Sequence, residues 1–322
     1  MVTAKLRHWV GRRSGLVGRF LQPYYVLRPG YLAHRLTNAR QLQRTQTVRL
    51  PWGLDIVADP TEAVGRLIVR NGLLDLSVSE VLSRLIKPGE TAVDVGANIG
   101  HMTSIMALRA GTDGRVIAFE PHPKIYSELA ANVARWQTAN GVGPIEIHEM
   151  ALSDTHGLGT LVISEHFAQN HGSAFVEASA QTTQPGSTGE KVLLERLDQV
   201  VEGPIAVMKI DVEGHELQVL RGAAQLLERN LVRDIIFEEH GCYPTPVTEL
   251  LEASGFTVFG LDRSFLRPRL VRPAASFKYR NEAPNCVASI DPGRVQALLA
   301  PIGWSALGLR TIPMPFRSRT SN

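Results

Sequence analysis

Between residues 90 and 290, short and continuously apolar runs alternate with stretches whose apolar residues recur every three or four positions. The runs at 93–95, 115–119, 145–152, 205–210, 234–237, 256–261 and 286–290 read as strands, with 158–164 as a hairpin partner of the third. The intervening stretches read as helices. One spans 101–110 and closes on Gly111. Another carries Ile125, Leu129, Val133 and Trp136 on one face, and a third, 216–229, carries Leu217, Leu220, Ala224 and Leu227. Ahead of the first strand, Ser77-Val-Ser-Glu80 has the form of a capping box, and Val78, Val81, Leu82, Leu85 and Ile86 give the helix behind it an apolar face. Lys87-Pro-Gly-Glu90 stops that helix. Strands alternating with helices in this way predict an α/β domain built on a doubly wound, mostly parallel sheet.

Composition changes the picture mainly at the ends. The chain has 322 residues, 44% of them apolar, enough for one large α/β domain or two small ones. Residues 51–300 are expected to form the domain. Residues 178–189, rich in Ser, Thr, Gln and Gly, read as an exposed loop inside it, and 301–322, with Arg310, Arg317 and Arg319, as a disordered tail. Residues 1–50 hold ten basic side chains and no Asp or Glu, so a net charge of +3 divides into a basic extension and a body of net −7. Three readings fit the extension: a targeting presequence, a solvated or packed arm, or a peripheral contact with an anionic membrane through Trp9, Val10, Leu16, Val17, Phe20 and Leu21 set among arginines. No recognised motif accompanies the charge, so no nucleic-acid partner is expected. Two cysteines, Cys242 and Cys286, exclude a disulfide framework and a cysteine zinc cluster. With no apolar stretch of the roughly 18 to 20 residues that span a bilayer, the expected location is cytoplasmic, or peripheral at a membrane.

The candidate chemistry sits where strands end. Val93-Asp-Val-Gly-Ala-Asn-Ile-Gly100 is a strand that runs through a tight glycine turn into a helix, the architecture of a nucleotide-type cofactor site. A dinucleotide fingerprint needs G-x-G-x-x-G, whereas Asn98 occupies the place of the second glycine. The carboxylate of Asp94 disfavours a pyrophosphate and favours a cationic ligand such as S-adenosylmethionine. Glu120, 26 positions after Asp94 at the tip of the next strand, is placed to bind a ribose diol. A second cluster, Asp211, Glu213, His215 and Glu216, follows the strand at 205–210, and Glu238, Glu239 and His240 follow the next. In an open α/β sheet these strand ends share one crevice.

The ordered set of Lys87-Pro-Gly-Glu90, Val93 to Gly100, Phe119-Glu-Pro121, Ala151-Leu-Ser-Asp154, Lys209-Ile-Asp-Val-Glu-Gly214 with Glu216, and Arg221-Gly222 resembles the FkbM-type S-adenosylmethionine-dependent methyltransferases over roughly residues 71–240. The resemblance implies a Rossmann-like class I methyltransferase fold, a seven-stranded sheet with an antiparallel late strand, and O-methylation of a sugar, glycolipid or polyketide-type hydroxyl. It implies that Asp94, Gly96, Ala97, Asn98 and Gly100 surround the methionine half of the cofactor, that Glu120 holds the ribose, and that the turn from Ala151 to Asp154 borders the adenine. His215 departs from the usual pattern.

A hydroxyl nucleophile benefits from a positioned base. Asp211, Glu213, His215, Glu238 and His240 are the candidates, with Asp211 and Glu213 favoured. The clustered acids also admit a divalent metal, but their spacing matches no fixed metal motif and none is predicted. Rival readings are a non-catalytic cofactor-binding or membrane-recruited interaction protein and a nicotinamide-dependent oxidoreductase. His166, Asn170, His171, Ser173 and Phe175 are placed to meet a small-molecule or glycolipid acceptor. Nothing in the sequence speaks to oligomeric state.

Overall fold

A computed structural model describes residues 22–30, 45–163, 174–177, 188–273, 285–309 and 311, and the statements below refer to these. In chain order the strands are β1 (Gln46–Arg49), β2 (Asp55–Ala58), β3 (Thr91–Val95), β4 (Arg115–Phe119), β5 (Ile145–His148), β6 (Ala151–Leu152), β7 (Gly157–Ile163), β8 (Ala174–Glu177), β9 (Thr188–Glu195), β10 (Ile205–Ile210), β11 (Val232–Glu238), β12 (Thr257–Arg263), β13 (Pro268–Val271) and β14 (Asn285–Ser289). The central sheet has the order β13-β12-β14-β11-β10-β3-β4-β5. β11, β10, β3, β4 and β5 are parallel; β14 runs antiparallel between β11 and β12, so β12 points the same way as those five and β13, antiparallel to β12, runs against them. The seven strands anticipated from the resemblance are present, and β13 extends the late-strand edge to eight.

Continuous apolar sequence is what a strand covered on both faces requires, and all six residues of β10 are buried. Alternate residues serve opposite faces. In β4, Val116 and Ala118 join the core under the helices Leu76–Leu85, His101–Ala110 and Pro123–Trp136, whereas Ile117 and Phe119 join the core under Glu216–Gly222 and Pro246–Ala253. The chain winds outward from β3 through β4 to β5, then returns to place β10 on the other side of β3. The switch point of the sheet therefore lies between β3 and β10, where the carboxyl ends of the strands open a crevice.

Several expectations from sequence are corrected by long-range partners. The run at 145–152 is broken: β5 stays in the central sheet, and β6 crosses to pair with β9 in a second sheet of order β6-β9-β7-β8. β7 is accordingly the partner of β9 and β8 rather than of the 145–152 run. The stretch expected as one helix over 216–229 is two, Glu216–Gly222 and Ala224–Glu228. Gly222 at the break lies against the carbonyl of Ser153, and a Cβ there would come within 1.9 Å of that oxygen. The helix at 76 is capped by Asp75, whose Oδ1 accepts the N–H of Val78 at 2.9 Å, so the Ser77/Glu80 pair is not its capping box. Glu80 lies inside that helix, where it pairs with Arg84 and accepts the backbone N–H groups of Ser305 and Ala306 at 2.8 and 2.7 Å. This binds residues 304–307, with Trp304, Ala306 and Leu307 buried, to the sheet's helical cover. The β1–β2 hairpin is held by Trp136 and Asn132: the indole donates to the carbonyl of Asp55 at 2.6 Å, and the amide bridges Val57 and the carbonyl of Ile99.

Glu80→Leu removes the acceptor for a buried guanidinium, for the buried N–H of Ala306 and for the half-buried N–H of Ser305. It is expected to cost about 3–5 kcal/mol of stability in urea unfolding, and a loss below about 1 kcal/mol would show that Arg84 and residues 305–306 find other partners.

Candidate active site

The turn after β3 is shaped by three left-handed residues, Gly96, Asn98 and Gly100. Gly96 has φ +75°, and a Cβ there would lie 1.9 Å from the carbonyl oxygen of Asp211, so only glycine lets β3 and β10 approach so closely at their ends. Asn98 has φ +51°, and its side chain accepts the N–H of Ile99 at 2.8 Å. The N–H groups of Gly96 and Ala97 donate to the carbonyl of Phe119 at 3.0 and 2.9 Å, which clips the turn to the end of β4. Gly100, also left-handed at φ +92°, caps the following helix and packs under Leu129 and Trp136; it faces the core.

Glu120 closes the other side. Its carboxylate accepts the N–H of Asn98 at 2.9 Å and of His122 at 3.0 Å, so one side chain spans the glycine turn and the tip of β4. Burial pushes its pKa up to about 7, against the pull of those two N–H groups.

Beneath the turn lies Lys209 of β10. Its ammonium donates to the carbonyl of Gly96 at 3.1 Å and sits 3.3 Å from Asp94 Oδ1 and 3.4 Å from Asp211 Oδ2. Burial alone would lower the Lys209 pKa, but the two carboxylates more than offset that and raise it. Asp94 is fully buried and takes a 2.6 Å hydrogen bond from the hydroxyl of Thr103 through Oδ2. It is therefore placed behind the turn as the counter-ion of Lys209, one layer back from the open crevice. Sequence reasoning gave Lys209 no role of its own, although it stands inside the motif.

These elements wall a cavity of about 480 Å³, within the ~300–1,000 Å³ range of small-molecule sites. Gly96, Ala97, Asn98, Glu120, Ala151, Asp211, Glu213, His215 and Glu238 all line it; Asp94, Gly100, Asp154 and His240 do not. Glu213 holds φ +52°, unusual for a side chain with a Cβ, and burial with the neighbouring Asp211 and Glu216 raises its pKa to about 7. Glu238, at the end of β11, is likewise raised to about 7 by burial and by Asp211 beside it. Carboxylate oxygens of Asp211, Glu213 and Glu238 approach within 4.8 Å of one another. Such a set is close enough to share a proton or to accept a hard cation, and exposed acids also gather without one. His215 is buried at the start of its helix, with Nε2 3.0 Å from the Ser153 hydroxyl, and burial lowers its pKa. Glu216 accepts the N–H groups of Val212 and Gly214 and so serves the loop backbone. His240 is exposed, 3.4 Å from Glu238, and the backbone carbonyl of Asp154 accepts from Arg196.

Part of the cavity's lining comes from residues that carry no motif. Tyr24, Val64, Leu67, Leu74, Asp75, Arg263 and Asn285 line it. The Asn285 amide donates to Asp75 Oδ2 at 3.2 Å. Only the cap signal at Asp75 was readable, as an acid directly before an apolar helix. His166, Asn170, His171 and Ser173 lie outside the described residues, and Phe175 falls on β8.

The FkbM methyltransferase domain matches residues 94–258, half of the chain. The hexuronic acid methyltransferase AglP of Haloferax volcanii is 30% identical over 252 residues, covering 77% of this chain and 86% of that protein. The 31-O-demethyl-FK506 methyltransferase FkbM of Streptomyces tacrolimicus is 29% identical over 201 residues, 54% of this chain and 75% of that protein. A further relative, the antimetabolite synthetase AmbE of Pseudomonas aeruginosa, is 26% identical over 278 residues; the chain spans 12% of its length. The glycine turn, the Glu120 bridge and the acidic end of β10 all fall inside the matched span, and the chain belongs to the FkbM family of S-adenosylmethionine-dependent methyltransferases.

Proposed function

We propose that the chain transfers a methyl group from S-adenosylmethionine to a hydroxyl of a sugar, glycolipid or polyketide-type acceptor. The observation that carries this reading is one cavity at the switch point lined both by the Glu120 carboxylate, which bridges two strand tips, and by a carboxylate cluster, Asp211, Glu213 and Glu238. The residues present fit the cofactor. Each oxygen of Glu120 accepts one N–H and keeps a lone pair for a ribose hydroxyl. Met150, Ala151, Leu152 and Ile125 offer an apolar wall for the adenine, and the Gly96 turn lets backbone approach the methionine portion. When bound, S-adenosylmethionine supplies a methyl group on a sulfonium, open to in-line displacement by oxygen.

The protein's part is to hold the acceptor in line and to take its proton. Glu238 and Glu213 suit the second task, because a carboxylate with a pKa near 7 is both ionised and basic at neutral pH. Asp211, held by Lys209, suits the first: it offers a fixed acceptor for the hydroxyl's hydrogen bond. Relatives whose printed names specify a hexuronic acid and an FK506 precursor as substrates support a hydroxyl-bearing small molecule, without choosing between them.

Glu238→Gln should lower the rate of S-adenosylhomocysteine formation by about 10²–10⁴-fold across a panel of hydroxylated glycosides and polyketides. The dissociation constant for S-adenosylmethionine should not change; a matching loss of binding would move Glu238 into the cofactor site. In the native chain the rate should rise with pH through about 7, since a raised carboxylate is protonated and idle below its pKa and ionised above it. A rate independent of pH between 5 and 9 would count against a carboxylate base. Glu120→Gln should weaken S-adenosylmethionine by roughly 1.5–3 kcal/mol in calorimetry, the worth of charge-assisted hydrogen bonds to the ribose. Unaltered affinity would place the ribose elsewhere.

A further inference from the structure

His215 departs from the family pattern, and the proposed reaction leaves it without a part. The two residues before it are left-handed, Glu213 at φ +52° and Gly214 at φ +95°, and the turn they make brings the imidazole to 5% exposure against the cavity. Its Nε2 lies 3.0 Å from the hydroxyl of Ser153, a residue with no exposed surface on the turn after β6. Ser153 directly follows Ala151 and Leu152, which with Met150 form the apolar wall offered to the adenine. His215 therefore stands at that wall. The carboxylates of the acid cluster act on one another, whereas the charge that acts on His215 is that of Asp154. The ring belongs to the 150–154 side of the cavity rather than to the group of candidate bases.

Hydrogen bonding along this side assigns the tautomer. A serine hydroxyl has one proton, and Ser153 gives it to the charged acceptor, Asp154 Oδ1, at 3.4 Å. The Ser153 oxygen is then left to accept from His215 Nε2. Burial lowers the His215 pKa, so the ring is neutral at pH 7 and carries one nitrogen-bound proton. With that proton on Nε2, Nδ1 holds a lone pair. Nδ1 is the ring's remaining polar atom, and in a residue this buried an acceptor calls for a donor. Asp154 does not itself line the cavity, so Ser153 and His215 stand between its carboxylate and a bound ligand. Adenine offers the donor that is needed, because its exocyclic 6-amino group donates where the neighbouring ring nitrogens accept.

We propose that His215, fixed in one tautomer by Ser153 and Asp154, reads the 6-amino group of the cofactor's adenine through Nδ1. The assignment rests on the S-adenosylmethionine reading of the cavity and deepens it. His215 becomes a specificity residue for the cofactor and leaves the set of candidate bases. A 6-oxo purine in the same place sets a carbonyl oxygen against the Nδ1 lone pair, and the site rejects it.

The test is calorimetric titration of the full chain with S-adenosylhomocysteine and with S-inosylhomocysteine, in which a 6-oxo group replaces the 6-amino group. The native chain should bind the adenine form at least about tenfold more tightly. His215→Leu should bind the two forms equally, having lost affinity for the adenine form alone, and a native-like thermal melt shows that it is folded. His215→Phe keeps a ring but not the acceptor, and should behave in the same way. Equal affinity of the native chain for both ligands, or an undiminished preference in a folded variant, would overturn the assignment and leave the S-adenosylmethionine site standing. Binding of neither ligand by the native chain would instead defeat the reading of the cavity on which the assignment rests.

Discussion

A buried ammonium between two buried strand ends holds this site together. Lys209 and Asp94 are register partners on the adjacent strands β10 and β3, at the place where the chain reverses its winding direction across the sheet. Two carboxylates and a carbonyl surround Lys209, so its charge is compensated in a setting where an unpaired ion would cost several kcal/mol. The same contacts hold the glycine turn, through the Gly96 carbonyl, and the carboxylate of Asp211. Asp94 passes the constraint on to the helix behind the turn through Thr103. The glycine turn and the Asp211 carboxylate are thus fixed to each other through one side chain.

That arrangement separates roles among acids that look alike in sequence. Asp94 is a counter-ion below the floor, Glu120 a bridge between two strand tips, Glu216 a support for loop backbone, and Glu213 and Glu238 the carboxylates gathered beside Asp211. Partners distinguish them: the buried Asp94, Glu120 and Glu216 hold an ammonium or backbone N–H groups, whereas Glu213 and Glu238 line the cavity in more open positions. Glu213 is further singled out by its left-handed backbone, a conformation that persists only when the surrounding turn over-determines it and that clusters at functional sites.

Features governed by local pattern were legible in the sequence. The bounds of the helix His101–Ala110, the apolar face of Pro123–Trp136 and the fully buried β10 follow from periodicity and glycine placement, and the ends of β3, β4, β10 and β11 each showed an acid. Long-range partners set the rest. Nothing in residues 145–152 announces that β6 leaves one sheet for another, since the pairing with β9 is made 43 residues away. Ser77 and Glu80 have capping-box spacing, yet Glu80 is claimed by residues 305–306 and the cap falls to Asp75. In the site, Asp94 looked like a ligand contact because its strand position says only that it ends near the crevice, not on which side of the turn its side chain lies. Lys209 was hidden for the converse reason: a lysine in an apolar strand shows its purpose only beside its carboxylates. Arg263 ends β12 and Asn285 starts the antiparallel β14, and both reach the crevice through sheet order that no motif records.

The central claim is that the switch-point cavity is an S-adenosylmethionine site. Calorimetric titration of the full chain with S-adenosylmethionine and, in parallel, with NAD⁺ tests it most directly. Saturable one-to-one binding of S-adenosylmethionine and no heat from NAD⁺ is the expected result. Binding of NAD⁺, or of neither ligand, would contradict it.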